Sequence, residues 1–357
     1  MVPVTGRLPP DLLNRSPEES SRLVALSYLD EIDGAERRLR DAQDPEALHD
    51  LRVGLRRLRS CLRAYRDWLR GSVSGKMRKR LGELAQATGL GRDIEVQLTW
   101  LRTQQGQIEP QEVQGFFWFT GRQEGRKLDL FAPATADVAR RFARTEVRLG
   151  RRLGVLRIEV RNDNARKPVT FGQVTGELIV EQGARLHRDL LGVRDAASVE
   201  DAHRARIAVK RLRYLLEPVA RSNRRVRAIV PRLKLAQDLL GEHHDMHVLV
   251  AAIASARVGL SGDSAAATTL QPGLVRLERL AMEHADAAFE RFRALQEELR
   301  GRVLIRTEEV GRSLQEDSGS QTAERPMMGS PTVAAAVNGH PVIAESRLDS
   351  QPVNPSG

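Results

Sequence analysis

The segment HDLRVGLRRLRSCLRAY occupies residues 49–65 and decides how the rest of the chain is interpreted. Its basic side chains recur at intervals of three and four residues, which is the spacing of one face of an α-helix. They are His49, Arg52, Arg56, Arg59 and Arg63. At about 100° per residue, they fall within a stripe about 80° wide, and a leucine face adjoins it. The segment therefore predicts one helix with a basic face beside an apolar face.

A second copy of this segment, HRARIAVKRLRYLLEPV, occupies residues 203–219, and each matched position lies 154 residues further along the chain. The basic residues matched to the first four of the stripe are His203, Arg206, Lys210 and Arg213. The apolar positions keep the same register. Because chance does not readily preserve both faces, the two copies indicate an internal duplication. Arg63 is the exception, since Glu217 occupies its matched position.

A second pair of motifs follows each copy by about 40 residues: GLGRD at residues 89–93 and GEHHD at residues 241–245. We expect Asp93 and Asp245 to orient a neighbouring arginine or histidine through an ion pair, with a surface pair as the alternative. Arg80 and Arg232 match at the same offset of 152 residues, so they are secondary candidates for anion binding. His244 is a third secondary candidate, as a phosphate contact or a structural residue.

The histidines of the two stripes leave two roles open. A histidine beside phosphate gains a proton and a hydrogen bond, which would make binding tighter below neutral pH. Alternatively, His49 and His203 are neutral spacers that hold a neighbouring arginine. Near the second copy, His243 and His247 share a helix face, as metal ligands can. The first copy lacks such a cluster, so the sequence predicts no metal site and no cofactor.

The charge balance points to a polyanionic partner. The 357 residues carry a formal net charge of +10, with a sequence pI near 10.4. Nucleic acid, anionic membrane and polyphosphate all fit such a surface. With 41% hydrophobic but only 4% aromatic residues, the chain can bury a core made mostly of small aliphatic side chains, which suits helices. Four of the aromatic residues are consecutive, at positions 116–119. At least two of them must face a core, although membrane insertion, base stacking or a subunit contact are alternatives.

Cysteine usage and hydropathy indicate the compartment. The single cysteine, Cys61, excludes an internal disulfide and a cysteine-based metal cluster, and a reducing cytoplasm is the simplest setting. The N-terminus lacks the pattern of a signal peptide, and no run of about 18 apolar residues occurs. We therefore expect a soluble cytoplasmic protein with no membrane partner.

Helix signals divide the chain into an arm, a helical region and a tail. Residues 1–15 have no sustained periodicity and are predicted to form a flexible arm. Ser16 is expected to cap the first helix, and Ser198 to begin a capping box before the second basic helix. One helix is expected over residues 76–104, and a further helical stretch over 109–153 is expected to be interrupted at Gly115, Gly121, Gly125 and Pro133. Residues 313–357 have the composition of a disordered tail.

With both basic helices and both Gly-x-x-x-Asp segments in place, the chain resembles the CHAD family, the conserved histidine α-helical domain, over residues 16–312. The resemblance implies an all-α fold of two pseudo-symmetric antiparallel four-helix bundles that meet at a basic central channel. The boundaries would be repeat one at about 16–158, a connector at about 159–169 and repeat two at about 170–312. By motif match, the implied polyphosphate-binding residues are His49, Arg52, Arg56, Arg59, His203, Arg206, Lys210 and Arg213, and the stripe itself adds Arg63.

The expected function is non-catalytic binding of inorganic polyphosphate, with the protein placed at polyphosphate granules in the cytoplasm, where it can meet other granule proteins. Some CHAD domains are attached to a triphosphate hydrolase domain, but its Glu-x-Glu-x-Lys signature is absent from this sequence. An enzyme acting on phosphoanhydrides would need carboxylates grouped for a metal ion, and none stands within the stripes. The alternative is a nucleic-acid-binding protein that uses the same basic surface, which charge alone supports.

Overall fold

The computed structural model describes residues 8–39, 44, 46–155, 168–260 and 264–316. Those ranges contain α-helices, short 3-10 and π-helical turns, and no β-strand, so the all-α prediction is confirmed. The α-helices are α1 (Pro17–Arg38), α2 (Ala47–Ala64), α3 (Gly75–Ala87), α4 (Gly89–Gln104), α5 (Val113–Gly154), α6 (Phe171–Gly192), α7 (Val199–Ala220), α8 (Arg224–Gly259), α9 (Ser264–Glu298) and α10 (Leu304–Glu316). None of the helices in the described part of the chain combines the length and apolar character needed to span a bilayer.

The caps of α1 and α6 repeat at the spacing of the basic helices. Ser16 Oγ accepts a hydrogen bond from the backbone N–H of Glu19 at 3.2 Å, as the sequence predicts. Thr170 Oγ accepts from the backbone N–H of Gln173, also at 3.2 Å, and the Gln173 side chain completes a capping box. The two helices begin 154 residues apart and end 154 residues apart. Helix α7 begins directly after Ser198, as predicted, but the predicted capping box does not form: the Ser198 hydroxyl makes no cap bond to the helix and donates to Asp195 Oδ1 at 2.8 Å.

Residues 76–104, predicted to form one helix, are divided at Thr88 into α3 and α4. The Thr88 hydroxyl donates to the carbonyl oxygens of Leu84 and Ala85 at 3.3 and 3.1 Å, and such local bonds compete with helical continuation. The matching part of the second half is continuous within α8. Gly89 therefore begins a helix, whereas its counterpart Gly241 lies inside one.

The interruptions predicted in α5 do not occur, since the helix is continuous for 42 residues. Gly115 serves another purpose: a Cβ atom there would lie 2.1 Å from the carbonyl oxygen of Leu270 and 2.9 Å from Gly273 Cα. A Cβ at Gly273 would in turn lie 2.2 Å from the carbonyl oxygen of Glu112. The two glycines thus let the backbones of α5 and α9 touch where the helices cross.

Two apolar clusters fill the interior, and each combines residues from both halves of the chain. The larger joins the leucine faces of α2 and α7 through residues such as Leu55 and Leu212. The smaller contains Phe116 and Phe119, which are 2% and 1% exposed, so the prediction that at least two of these aromatics face a core is confirmed. The division into two four-helix bundles stays a prediction, because the halves share these cores.

The ends of the described fold differ from the predicted boundaries. Leu12 is buried, its carbonyl oxygen accepts from Ser20 Oγ at 2.7 Å, and Arg15 O accepts from the backbone N–H of Phe171 at 2.8 Å. Residues 8–15 are therefore packed against the helices rather than forming an arm. At the other end, α10 continues to Glu316, beyond the predicted start of the tail. Residues 1–7, most of the predicted connector (through 167) and residues 317–357 lie outside the described residues.

Candidate anion-binding site

The two basic helices, α2 and α7, are in contact, and a carboxylate joins them. Arg57 Nε of α2 donates to Glu217 Oε2 of α7 at 2.9 Å, and Glu217 also accepts from Arg213 Nη1. Arg57 reaches a second carboxylate, Glu31 on α1, at 3.2 Å. Glu217, which breaks the repeat of the stripe in sequence, thus offsets the repulsion between the two cationic helices.

Lys210 lies at the point where the two stripes meet. Burial lowers its pKa to about 8, and the guanidinium groups of Arg206, Arg56, Arg211 and Arg59 add to that shift. Such an effect needs the charges to be close, since Coulomb interaction falls with distance. Arginines of both α2 and α7 therefore lie near one half-buried ammonium group, so the two stripes approach each other at Lys210.

The basic surface continues on either side of Arg63. On one side, a cavity of about 260 Å³ lies among α2, α6 and α7, lined by Arg63, Arg185 and Arg211, by one carboxylate, Glu181, and by uncharged side chains. On the other, a cavity of about 230 Å³ between α2 and α3 is lined by Arg59, Arg63, Arg66 and Arg78. Burial and the neighbouring Arg63 lower the pKa of both Arg59 and Arg211. These two cavities extend the surface beyond the predicted stripe.

Sequence reasoning missed Arg185 and Arg211 and selected Arg213. Arg213 is only 8% exposed, its Nε donates to Gln237 Oε1 at 3.2 Å, and its guanidinium lies 4.6 Å from the ring centre of Tyr214. It is engaged in protein contacts, whereas the side chain of Arg211 lines a cavity. The two arginines are two residues apart, so they project from α7 about 160° from each other, and the packing of the helix decides which face is buried.

His203, the first residue of the second stripe, contacts a histidine of α8, His244. The rings of His203 and His244 have centroids 4.7 Å apart. Burial, followed by the charge of Arg206, lowers the pKa of His244 to about 4 and also lowers that of His203. Both rings are therefore neutral at pH 7 in the unliganded protein, which favours the neutral role. His49 lies half-buried in the first turn of α2.

His243 and His247, the pair considered as metal ligands, contact each other and the backbone. Their Nε2 atoms are 3.2 Å apart, and His243 Nε2 is 3.2 Å from the carbonyl oxygen of Ala196. His243 is 1% exposed. Within the described ranges, no group of three or more His, Cys, Asp or Glu side chains is arranged to hold a metal ion.

Four predicted residues remain: the secondary candidates Arg80 and Arg232, and the aspartates Asp93 and Asp245. Arg80 lines a cleft with α5, and Arg232 Nε is 3.3 Å from Glu298 Oε1 at the end of α9. Asp93 is exposed and Asp245 half-buried. Their proposed role in orienting a basic side chain stays a prediction.

Replacing Glu217 with glutamine should destabilise the fold. The substitution keeps the shape but removes the negative charge that Arg57 and the buried Arg213 share. Because a buried guanidinium without a counter-charge is costly, we expect the free energy of unfolding to fall by about 1–3 kcal/mol. Chemical denaturation would measure this, with the exposed Glu290→Gln as control. Equal stability of the two variants would contradict a linking role for Glu217.

Comparisons with known proteins identify the family and a solved structure of similar fold. A family model described as CHAD domain matches residues 24–254. Among solved structures, the crystal structure of the CHAD domain from the plant Ricinus communis aligns with a TM-score of 0.62 at 21% sequence identity, covering 81% of this chain and 94% of that chain. At this identity, the likeness concerns the fold alone. Curated protein sequences yielded no match.

Proposed function

The chain belongs to the CHAD domain family, and on that premise we propose that it is a non-catalytic binder of inorganic polyphosphate. The proposed site is the basic cleft, which we define as the surface formed where the stripes of α2 and α7 meet. Its residues are His49, Arg52, Arg56, Arg59, Arg63, His203, Arg206, Lys210 and Arg211. Arg213 enters the proposal as a residue that holds Glu217 rather than the ligand.

The observation that carries the proposal is the environment of Lys210. Burial and four neighbouring guanidinium groups lower the pKa of its ammonium group. The charged form of Lys210 therefore destabilises the folded, unliganded protein. An anion with several charges would remove that destabilisation. A phosphate chain suits the cleft because it bears one negative charge on each phosphate and arginine grips phosphate oxygens two at a time. The stripe from His49 to Arg63 is about 21 Å long at 1.5 Å per residue, so it favours a linear ligand.

The internal duplication is part of the proposal. Its support is the common offset of 154 residues in the basic motifs, the capping residues and the bounds of α1 and α6. In this view α2 and α7 are two copies of one ancestral basic helix. Their contact would double the cationic surface by duplication alone. We propose that the basic cleft arose in this way.

The test compares polyphosphate with nucleic acids. Long-chain polyphosphate, duplex DNA and single-stranded RNA would be titrated into the full chain at equal phosphate concentration and at several salt concentrations. We expect polyphosphate to bind most tightly and the logarithm of its affinity to fall linearly with the logarithm of salt concentration, because binding releases counterions. Tighter binding of either nucleic acid would overturn the proposal in favour of the alternative.

Polyphosphate affinity should decrease as the pH rises above 8. In the unliganded protein the pKa of Lys210 is lowered to about 8 from the ordinary lysine value of 10.5, and bound phosphate would raise this pKa again. Binding then takes up a proton at alkaline pH, so the dissociation constant should rise by up to about tenfold per pH unit between about pH 8 and 10.

The matched variant is Lys210→Arg, which stays charged throughout that range. We expect it to bind at pH 9.5 nearly as tightly as at pH 7.5, as measured by isothermal titration calorimetry. A variant and parent with the same pH profile would show that another group titrates and would contradict the role given to Lys210.

Cellular placement and lack of catalysis are tested separately. A fluorescent fusion of the full chain should coincide with a polyphosphate stain, and the variant Arg56→Glu with Lys210→Glu should be dispersed. Incubation of the protein with polyphosphate and Mg²⁺ should release no phosphate. Phosphate release that depends on both the protein and Mg²⁺ would replace the binding proposal with an enzymatic one.

A further inference from the structure

A second arginine-rich cleft lies between α3 and α5, with a volume of about 360 Å³. Arg80 and Glu83 of α3 line one wall, and Arg141, Arg144, Thr145 and Arg148 of α5 line the other. Of these residues, only Arg80 is predicted from the sequence as a binding candidate. The proposed function uses none of these side chains.

This cleft is on the opposite side of α3 from the basic cleft. Arg78 Nε donates to the carbonyl oxygen of Leu62 on α2 at 3.3 Å, and a Cβ at Gly82 would lie 3.7 Å from Arg59 Nη2. Residues 78 and 82 therefore face α2. Arg80 lies about 160° round the helix from both of them, at 100° per residue, and faces α5. The two clefts are thus separate surfaces.

Three of the four arginines of the second cleft form no ion pair with the part of the chain that the structure describes. Arg144 and Arg148 are exposed on successive turns of α5, and Arg80 faces them from α3. Among the described residues, no carboxylate lies within ion-pair distance of Arg80, Arg144 or Arg148, and Glu83 is the one acidic residue of the lining. The guanidinium groups repel one another, and the arrangement is stabilised when an anion binds between them.

The second half of the chain shows how the same position is closed by an ion pair. Phe142, Leu149 and Leu153 of α5 are matched 150 residues later by Phe292, Leu299 and Val303, all of them buried. In that register, Arg148 corresponds to Glu298. Arg80 corresponds to Arg232 at the offset of 152 residues that relates the Gly-x-x-x-Asp segments. Arg232 Nε and Glu298 Oε1 are 3.3 Å apart. The second half therefore has an ion pair at this position, whereas the first half has two arginines, Arg80 and Arg148.

We infer that the cleft between α3 and α5 is a second, independent binding site for a short inorganic phosphate chain. Planar guanidinium groups on two helices suit the bidentate recognition of phosphate oxygens. None of its lining residues is aromatic, so it offers no stacking surface for a nucleotide base. Thr145 Oγ1 already donates to Arg141 O at 2.8 Å, which leaves arginine to do the binding. With both sites occupied, one molecule can hold two chains or two segments of one chain.

The experiment counts bound tripolyphosphate by isothermal titration calorimetry with the full chain. The parent is compared with Arg144→Glu/Arg148→Glu, with Arg56→Glu/Lys210→Glu, and with all four changes combined. Arg279→Glu/Arg293→Glu is the control, because it makes the same change in net charge at exposed positions of α9. Thermal melting verifies that each variant is folded.

We expect two equivalents in the parent and the control, one in each double variant and none in the combined variant. Unchanged stoichiometry and affinity in Arg144→Glu/Arg148→Glu would overturn the second site, and so would an equal loss in the control. Failure of the basic cleft gives a different pattern. In that case Arg56→Glu/Lys210→Glu binds like the parent, while Arg144→Glu/Arg148→Glu loses its equivalent, which supports the second site and contradicts the proposed function.

Discussion

Arg56→Glu combined with Lys210→Glu is expected to weaken polyphosphate binding by about 10²–10⁴-fold at low salt. Each replaced group is a cation at the meeting point of α2 and α7, and Arg56 is one of the charges that lower the pKa of Lys210. Charge-assisted hydrogen bonds contribute about 1.5–3 kcal/mol each, so the loss of two gives that range. The reversal also adds local repulsion against the phosphates.

The salt dependence of the same variant tests the contact directly. Loss of two phosphate contacts should reduce the slope of log affinity against log salt by about two units, whereas a variant that merely lost net charge elsewhere should keep the parental slope. Arg279→Glu/Arg293→Glu has the same net charge and is the matched control. If both variants bind equally well, the basic cleft is not the binding site.

Gly273→Ala is expected to lower the free energy of unfolding by about 3 kcal/mol, because overpacking a tight contact costs about 1–3 kcal/mol or more. The added methyl group would stand 2.2 Å from the carbonyl oxygen of Glu112 and 2.8 Å from Gly115 Cα. Both obstacles are backbone atoms, which cannot rotate away as a side chain does. The helices must therefore move apart, and the apolar cluster beside the crossing loses contacts.

The matched control for that variant is Gly121→Ala in α5. Nothing lies within 4 Å of a Cβ at this position, so only the helix propensity changes. Alanine should stabilise the helix there by about 0.5–1 kcal/mol. Denaturant unfolding of the two variants should thus shift in opposite directions. A neutral or stabilising Gly273→Ala would contradict the close crossing of α5 and α9.

The stripe of α2 could be predicted because its signal is local. A three-and-four spacing specifies a helix face from the sequence alone, and the observed helix of 18 residues covers the quoted segment almost to its end. The cap at Ser16 was predictable for the same reason, since its partner is three residues away. The start of α7 after Ser198 was predictable in the same way, but its capping box was not, since the hydroxyl makes no cap bond and donates to Asp195, three residues before it.

Residues whose roles depend on other helices were predicted less well. In the sequence alone, Gly115 is interpreted as a helix breaker, whereas in the structure it allows the close crossing of α5 and α9. Glu217 looks like a defect in the stripe, yet it joins α2 to α7. Arg213 and Arg211 lie within one turn of α7 on nearly opposite faces, and their different surroundings are Gln237 for Arg213 and the cavity beside α6 for Arg211.

What the sequence by itself determined was the helical class, the basic and apolar faces of α2 and α7 and their repetition at one offset, because periodicity and composition are properties of the chain alone. The tertiary structure decided that basic residues of both helices approach Lys210, which arginines line cavities and which are engaged in protein contacts, and that a second arginine-lined cleft forms beside α5. These outcomes depend on distances between helices far apart in sequence. Burial and Coulomb repulsion, which set the charge state of each site, exist only once those helices have packed.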